Sequence, residues 1–208
     1  QRQMCIRDSF LAGKAAQQSN TGNTLKAALN IFKTLGAGDT PFAQPARIEE
    51  ASVLLRMGEA DQCIAALENL LSSPLPRYMR LLALSIQADA WVTKEDTHSD
   101  TLRKAINLCT EILDTPNLGL AWKFKALTQR AQFYERMNDQ KKALDDYASI
   151  LAHTPSGSSA NKRRDWHWFY NAGFASIRLL GQLQDWDGSE IEILDLEWLE
   201  DNLSLIHI

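Results

Sequence analysis

The chain has 208 residues, a formal net charge of −4, 45% hydrophobic residues and 23% charged ones. That apolar share is enough for a core and excludes chain-wide disorder. The acidic balance argues against a surface that works by neutralising phosphates, and no apolar run reaches the roughly 18–20 residues of a membrane-spanning helix. Cys5, Cys63 and Cys109 lie far apart with no CxxC spacing, which supports neither a disulfide framework nor a zinc site.

In chain order, the opening run Gln1–Ser9 and the closing run Leu203–Ile208 resemble translated sequencing-adapter read-through, and both are set aside from fold reasoning. Cys5 and His207 therefore carry no functional weight. The remaining 10–202 reads as one helical domain of about five helix hairpins, bounded near 10–41, 42–76, 77–116, 117–157 and 160–202.

The first unit opens with a short helix over Phe10–Gln18. Its second helix carries Ala28, Phe32 and Leu35 on one stripe, with Pro41 beyond it. The second and fourth units align without a gap, Ala51–Leu71 on Ala131–Leu151. Ala51 matches Ala131, Leu54 matches Tyr134, Cys63 matches Ala143, Leu67 matches Tyr147 and Leu70 matches Ile150. In each, a first helix ends near Met57 or Met137. A turn follows at Gly58 or Asn138, residue types that tolerate a left-handed backbone. Asp61 and Asp139 are expected to cap the second helices. Pro74, Pro76 and Pro155 then end the hairpins.

The third unit pairs a helix over Arg77–Thr93, with Ala88 and Trp91 on one face, with the stripe Ala105, Cys109, Ile112 and Leu113. Its turn, Lys94 to Asp100, is longer, with Ser99 or Asp100 expected to cap. The fifth unit has a first helix over Arg164–Leu183. Gly173 takes the small-residue place, with Phe169, Phe174, Ile177 and Leu180 around it. A second helix is expected over Asp185–Asn202, although residues 191–198 also alternate as a strand would.

Small, aromatic, small, aromatic, then proline resembles the tetratricopeptide repeat (TPR), and Leu127, Ala131, Tyr134, Ala143, Tyr147, Ile150 and Pro155 match it best. The second-helix anchors Ala28, Cys63, Ala105 and Ala143 are 35, 42 and 38 residues apart, against the family's usual period of about 34. The stretch Trp168–Leu180 is also similar to the C-terminal unit of bacterial TPR proteins. The resemblance implies an all-α solenoid of antiparallel helix hairpins, a right-handed superhelix with first helices lining a concave groove. It also implies a fragment of a longer bacterial protein.

The same resemblance implies a non-enzymatic scaffold that holds a protein segment in that groove, with no cofactor and no metal. The alternative is a regulatory or oligomerisation segment of a larger enzyme or envelope-associated protein, which would self-associate. From the matched units the groove positions are Ile48, Ser52, Leu55 and Arg56 in the second. They are Leu82, Ser85, Asp89 and Val92 in the third. The fourth contributes Lys125, Thr128, Gln132, Glu135 and Arg136, and the fifth Tyr170, Phe174 and Arg178. Arg, Leu, Tyr and Gln together suit an extended segment or an amphipathic helix. Ser52, Asp89 and Gln132 stand where the family's carboxylate clamp carries Asn, so that clamp is not expected.

No HExxH, GxSxG, P-loop or dinucleotide fingerprint occurs in the sequence. His98 and His153 are expected to be solvated near turns, and His167 to pack among aromatics. Asp145-Asp146 reads as an outer, solvated face. Cys63 and Cys109 read as small core hydrophobes. From Asp185 to Asp201 there are eight acidic residues and no Lys or Arg, with Trp186 and Trp198 among them.

Overall fold

A computed structural model of the protein describes residues 2–19, 21–94, 98–153 and 159–183. The described residues are all-helical. The helices are α1 (Arg2–Ser19), α2 (Gly22–Gly36), α3 (Ala43–Arg56), α4 (Ala60–Leu71), α5 (Arg77–Thr93), α6 (Ser99–Leu113), α7 (Leu120–Arg136), α8 (Gln140–Leu151) and α9 (Ser159–Leu183). The chain forms two compact units, Gln1–Leu118 and Gly119–Ile208.

Within each unit every helix packs on its chain neighbour, the arrangement of an α-solenoid built from helix hairpins. First helices of successive hairpins also touch: α3 packs on α5, and α7 on α9. The second helix expected over Asp185–Asn202 falls outside the described residues.

Small residues at the crossings explain the close approach. Ala28, Ala51, Ala88, Ala105, Ala131 and Ala143 are fully buried. Cys63 and Cys109 are also fully buried, as their stripe positions predict, and neither forms a disulfide. Phe32 sits at the base of α2 under Phe10, whose ring centroid is 5.6 Å away in an edge-on contact. Leu29 packs against both the α1–α3 core and the α3–α5 core, so the first unit buries its apolar faces continuously. Each large apolar side chain fully buried in this way contributes about 1.5–3 kcal/mol.

The gap-free alignment of the second and fourth hairpins holds in three dimensions. α4 and α8 begin and end at matched residues, and α3 and α7 end at matched residues. Gly58 and Asn138 both adopt positive φ, 83° and 61°. At each turn the same pair of bonds closes the helix. The amide of Glu59 donates to the Leu54 carbonyl, and that of Asp139 to the Tyr134 carbonyl, both at 2.9 Å. The amides of Gly58 and Asn138 donate to Leu55 and Glu135 at 3.0 and 2.9 Å. This is a Schellman ending.

Several local expectations are corrected. The first helix is longer than Phe10–Gln18, because residues 2–9 form the first turns of α1. α9 likewise starts at Ser159 rather than Arg164. Asp139 does cap α8, accepting the Lys142 amide at 3.3 Å. Asp61 does not cap α4: Glu59 holds that place without a side-chain capping bond, and Asp61, in the first turn, pairs with Lys94. His98, not Ser99 or Asp100, is the N-cap of α6. In α9 the buried stripe is Phe169, Ala172, Ser176 and Leu179, while Phe174 and Ile177 face outward. Phe169 and Gly173 are buried as expected, but beyond them the stripe shifts by one residue, because Ser176, not Ile177, packs inward with its hydroxyl donated to the Ala172 carbonyl at 2.9 Å.

Candidate binding surface

The expected groove positions separate into three environments. Ile48, Ser85 and Val92 are buried, at 2%, 1% and 6% exposure, and offer nothing to a partner. Their spacing explains it: Ile48 lies three residues before Ala51, and Ser85 and Val92 lie three before and four after Ala88. All three share the inward stripe. α5 is also packed by α3 and α4 as well as by α6, so little of its circumference stays open.

A second group is half-buried. Gln17 of α1 donates to the Ser52 hydroxyl at 3.2 Å, covering that position. Leu55 and Leu82 lean on the α3–α5 core. Asp89 is half-buried, and its charge reaches Cys63. Burial first, and Asp89 second, push the Cys63 thiol up to about 12, so it stays protonated and is no nucleophile. The Lys125 ammonium lies 5.1 Å from the Trp122 ring centroid. Thr128 stands where the other copy has Ile48, and its buried hydroxyl has no hydrogen-bond partner. Glu135 and Tyr170 complete this group.

The third group is exposed: Arg56 on α3, Gln132 and Arg136 on α7, and Phe174 and Arg178 on α9. Phe174 is 61% exposed, among the most exposed large hydrophobic side chains described. In the second unit, therefore, α7 and α9 present amide, guanidinium and aromatic groups side by side.

Two expected positions are brought together. Arg178 donates to Glu135 at 2.6 Å, and the Tyr147 hydroxyl donates to the other Glu135 oxygen at 2.7 Å. Burial, then the bond to Glu135, hold the Tyr147 phenol above its ordinary range. In the other copy the positions of Glu135 and Tyr147 are held by Leu55 and Leu67, an apolar pair in place of a hydrogen-bonded one.

Asp146 corrects the solvated-face reading. Asp145 is exposed, but Asp146 is only 5% exposed and receives Arg130 through Nε at 2.9 Å and Nη2 at 2.7 Å. The signal was present: Asp146 lies three residues after Ala143 and four before Ile150, on the inward stripe. His153 is likewise not simply solvated. Its Nδ1 donates to the Ser149 carbonyl at 2.9 Å, its Nε2 accepts from Lys123 at 3.4 Å, and its ring meets the Phe124 ring edge-on at 5.6 Å. His98 is exposed, as expected. His167 is exposed too, beside Trp168 and 3.0 Å from the Asn171 amide.

A cleft of about 530 Å³ between α2, α3 and α4 has no counterpart among the sequence-based expectations. Lys33, Gly36, Ala37, Arg47, Glu50, Ala66, Asn69 and Leu70 line it. At about 100° per residue, Arg47 and Glu50 point away from the groove side of α3. Arg47 Nε donates to the Gly36 carbonyl at 2.9 Å, a cation at a helix C-terminus. A Cβ on Gly36 would lie 3.0 Å from Arg47 Cγ, so the glycine makes room for that arginine. Burial raises the Glu50 carboxyl above its ordinary value of 4.5, against the opposing pull of Lys33 and Arg47.

Among the described residues no cluster of three or more His, Cys, Asp or Glu is placed to hold a metal ion, and no helix is long and apolar enough to cross a membrane. Comparison of the chain with family models, curated proteins and solved structures finds no match.

Proposed function

We propose that the chain is a TPR-like, non-enzymatic binding scaffold of bacterial origin, and that the exposed faces of its first helices hold a protein segment. The carrying observation is the juxtaposition of Gln132 and Arg136 with Phe174 and Arg178 on two touching helices, α7 and α9. An exposed aromatic beside guanidinium groups is the composition of an interface anchor. Arg56, at the position matched to Arg136, repeats the cationic element in the first unit. A helix or an extended strand of about 10 residues spans such a surface, and neither needs an enclosed cavity.

The test is a peptide-display selection against the intact chain, followed by titration of the selected peptides. Arg56→Glu combined with Arg136→Glu should weaken binding about tenfold or more, the scale of one lost charged contact. Unchanged affinity in that variant would contradict the reading.

A further inference from the structure

We propose that the exposed face of α7 and α9 is a docking surface for the chain's own acidic segment, Asp185–Asp201, which occupies it in cis. The inference rests on reading that face as a segment-binding surface.

The surface chemistry selects the occupant. Across α7 and residues 167–182 the sole acidic residue is Glu135, set against Lys123, Lys125, Arg130, Arg136 and Arg178. Glu135 is already engaged by Arg178 and Tyr147, and Arg130 by Asp146. Lys123 is held by His153 and Lys125 lies half-buried over Trp122, so the cation displayed on this face is the exposed Arg136, beside Phe174 at 61% and Ile177 at 44% exposure. The fitting partner is an acidic segment that carries large apolar side chains.

The chain contains such a segment. Residues 185–201 hold eight carboxylates and no Lys or Arg, interleaved with Trp186, Trp198 and four Ile or Leu side chains before Trp198. Its carboxylates complement the exposed Arg136 guanidinium, and its tryptophans the exposed Phe174 and Ile177 side chains. Reach is sufficient. Phe174 lies nine residues before the end of α9 at Leu183, about 14 Å along the helix. Seventeen residues span about 26 Å as a helix and more when extended. A tethered segment acts at an effective concentration of order millimolar, so even a weak contact is populated. An outside partner would then have to displace it.

Hydrogen exchange on the full chain tests this. Amides of residues 185–201 should be protected in wild type, less so at high salt. In Phe174→Asp combined with Arg136→Glu they should exchange about tenfold faster or more, with α8 amides unchanged as the control for folding. Phe174→Leu should retain most of the protection. The proposal is overturned by no protection in wild type, or by protection that survives the double variant, which would place the segment elsewhere on α9. Protection that grows with protein concentration also overturns it, since the occupant is then a second copy. A selected peptide that binds the groove while 185–201 stays unprotected removes this proposal and leaves the binding function standing.

Discussion

Glu50 shows how one side chain records its surroundings. Burial raises its carboxyl pKa above the ordinary 4.5 in spite of Lys33 and Arg47. The folded state thus holds the proton more tightly than the unfolded one. Its contribution to stability is full below pH 4.5 and is lost as pH rises through the higher folded value. Glu50→Gln should flatten that part of the stability–pH curve and leave the protein at least as stable at pH 7, as denaturant titrations across pH would show. Gly13 and Gly173 make a second contrast. A Cβ on Gly13 would meet the fully buried Phe32 ring at 2.8 Å, while one on Gly173 would meet only Leu151 at 3.9 Å. Overpacking costs about 1–3 kcal/mol, and leaving glycine in a helix returns about 1 kcal/mol. Gly13→Ala should therefore lower the thermal midpoint and Gly173→Ala should raise it. At this scale apolar positions were legible, because Ala28, Phe32, Cys63 and Cys109 announce themselves by spacing. The same spacing marks Asp146 as inward, but its partner was not legible, since Arg130 lies sixteen residues away on another helix.

Helix pairs carry the repeat. Matched turns at Gly58 and Asn138 use the same left-handed residue and the same bonds, so the boundary between helices was legible from two residue types. What the second and fourth pairs do differently was not. Leu55 and Leu67 in one become Glu135 and Tyr147 in the other, a hydrophobic contact replaced by a hydrogen bond that also engages α9 through Arg178. The two members are coupled. Glu135→Leu leaves the Tyr147 hydroxyl without an acceptor and should cost about 1–3 kcal/mol. Tyr147→Phe alone should cost about 1 kcal/mol. The double variant, closer to the Leu pair, should cost less than the two together by about 0.5 kcal/mol or more in a double-mutant cycle. Strict additivity would show that the two side chains do not act as a pair.

For the whole molecule, the all-helical class and the order of hairpins were legible because each unit repeats the same small-and-large stripe. The proposed binding face was legible only in part. Ile48, Ser85 and Val92 share the stripe that packs the next helix, and a pattern read one helix at a time cannot tell an inter-hairpin contact from a groove. Helices that contact chiefly their neighbours should also share stability locally. Phe32→Ala, which removes about 3–5 kcal/mol of packing, should lower hydrogen-exchange protection most in α1–α3 and less in α5. An equal loss along the whole first unit would mean that it unfolds as one block.

In the proposed function the outward side of the first helices, not of the second helices, holds a protein segment. Titration of one selected peptide against Phe174→Ala, Gln132→Ala and, on the exposed outer side of α8, Lys141→Ala separates the two sides of the hairpins. Phe174→Ala should weaken binding by about 2 kcal/mol or more, as for an aromatic anchor. Gln132→Ala should weaken it less, and Lys141→Ala not at all. Equal losses in all three, or a loss confined to Lys141→Ala, would contradict it.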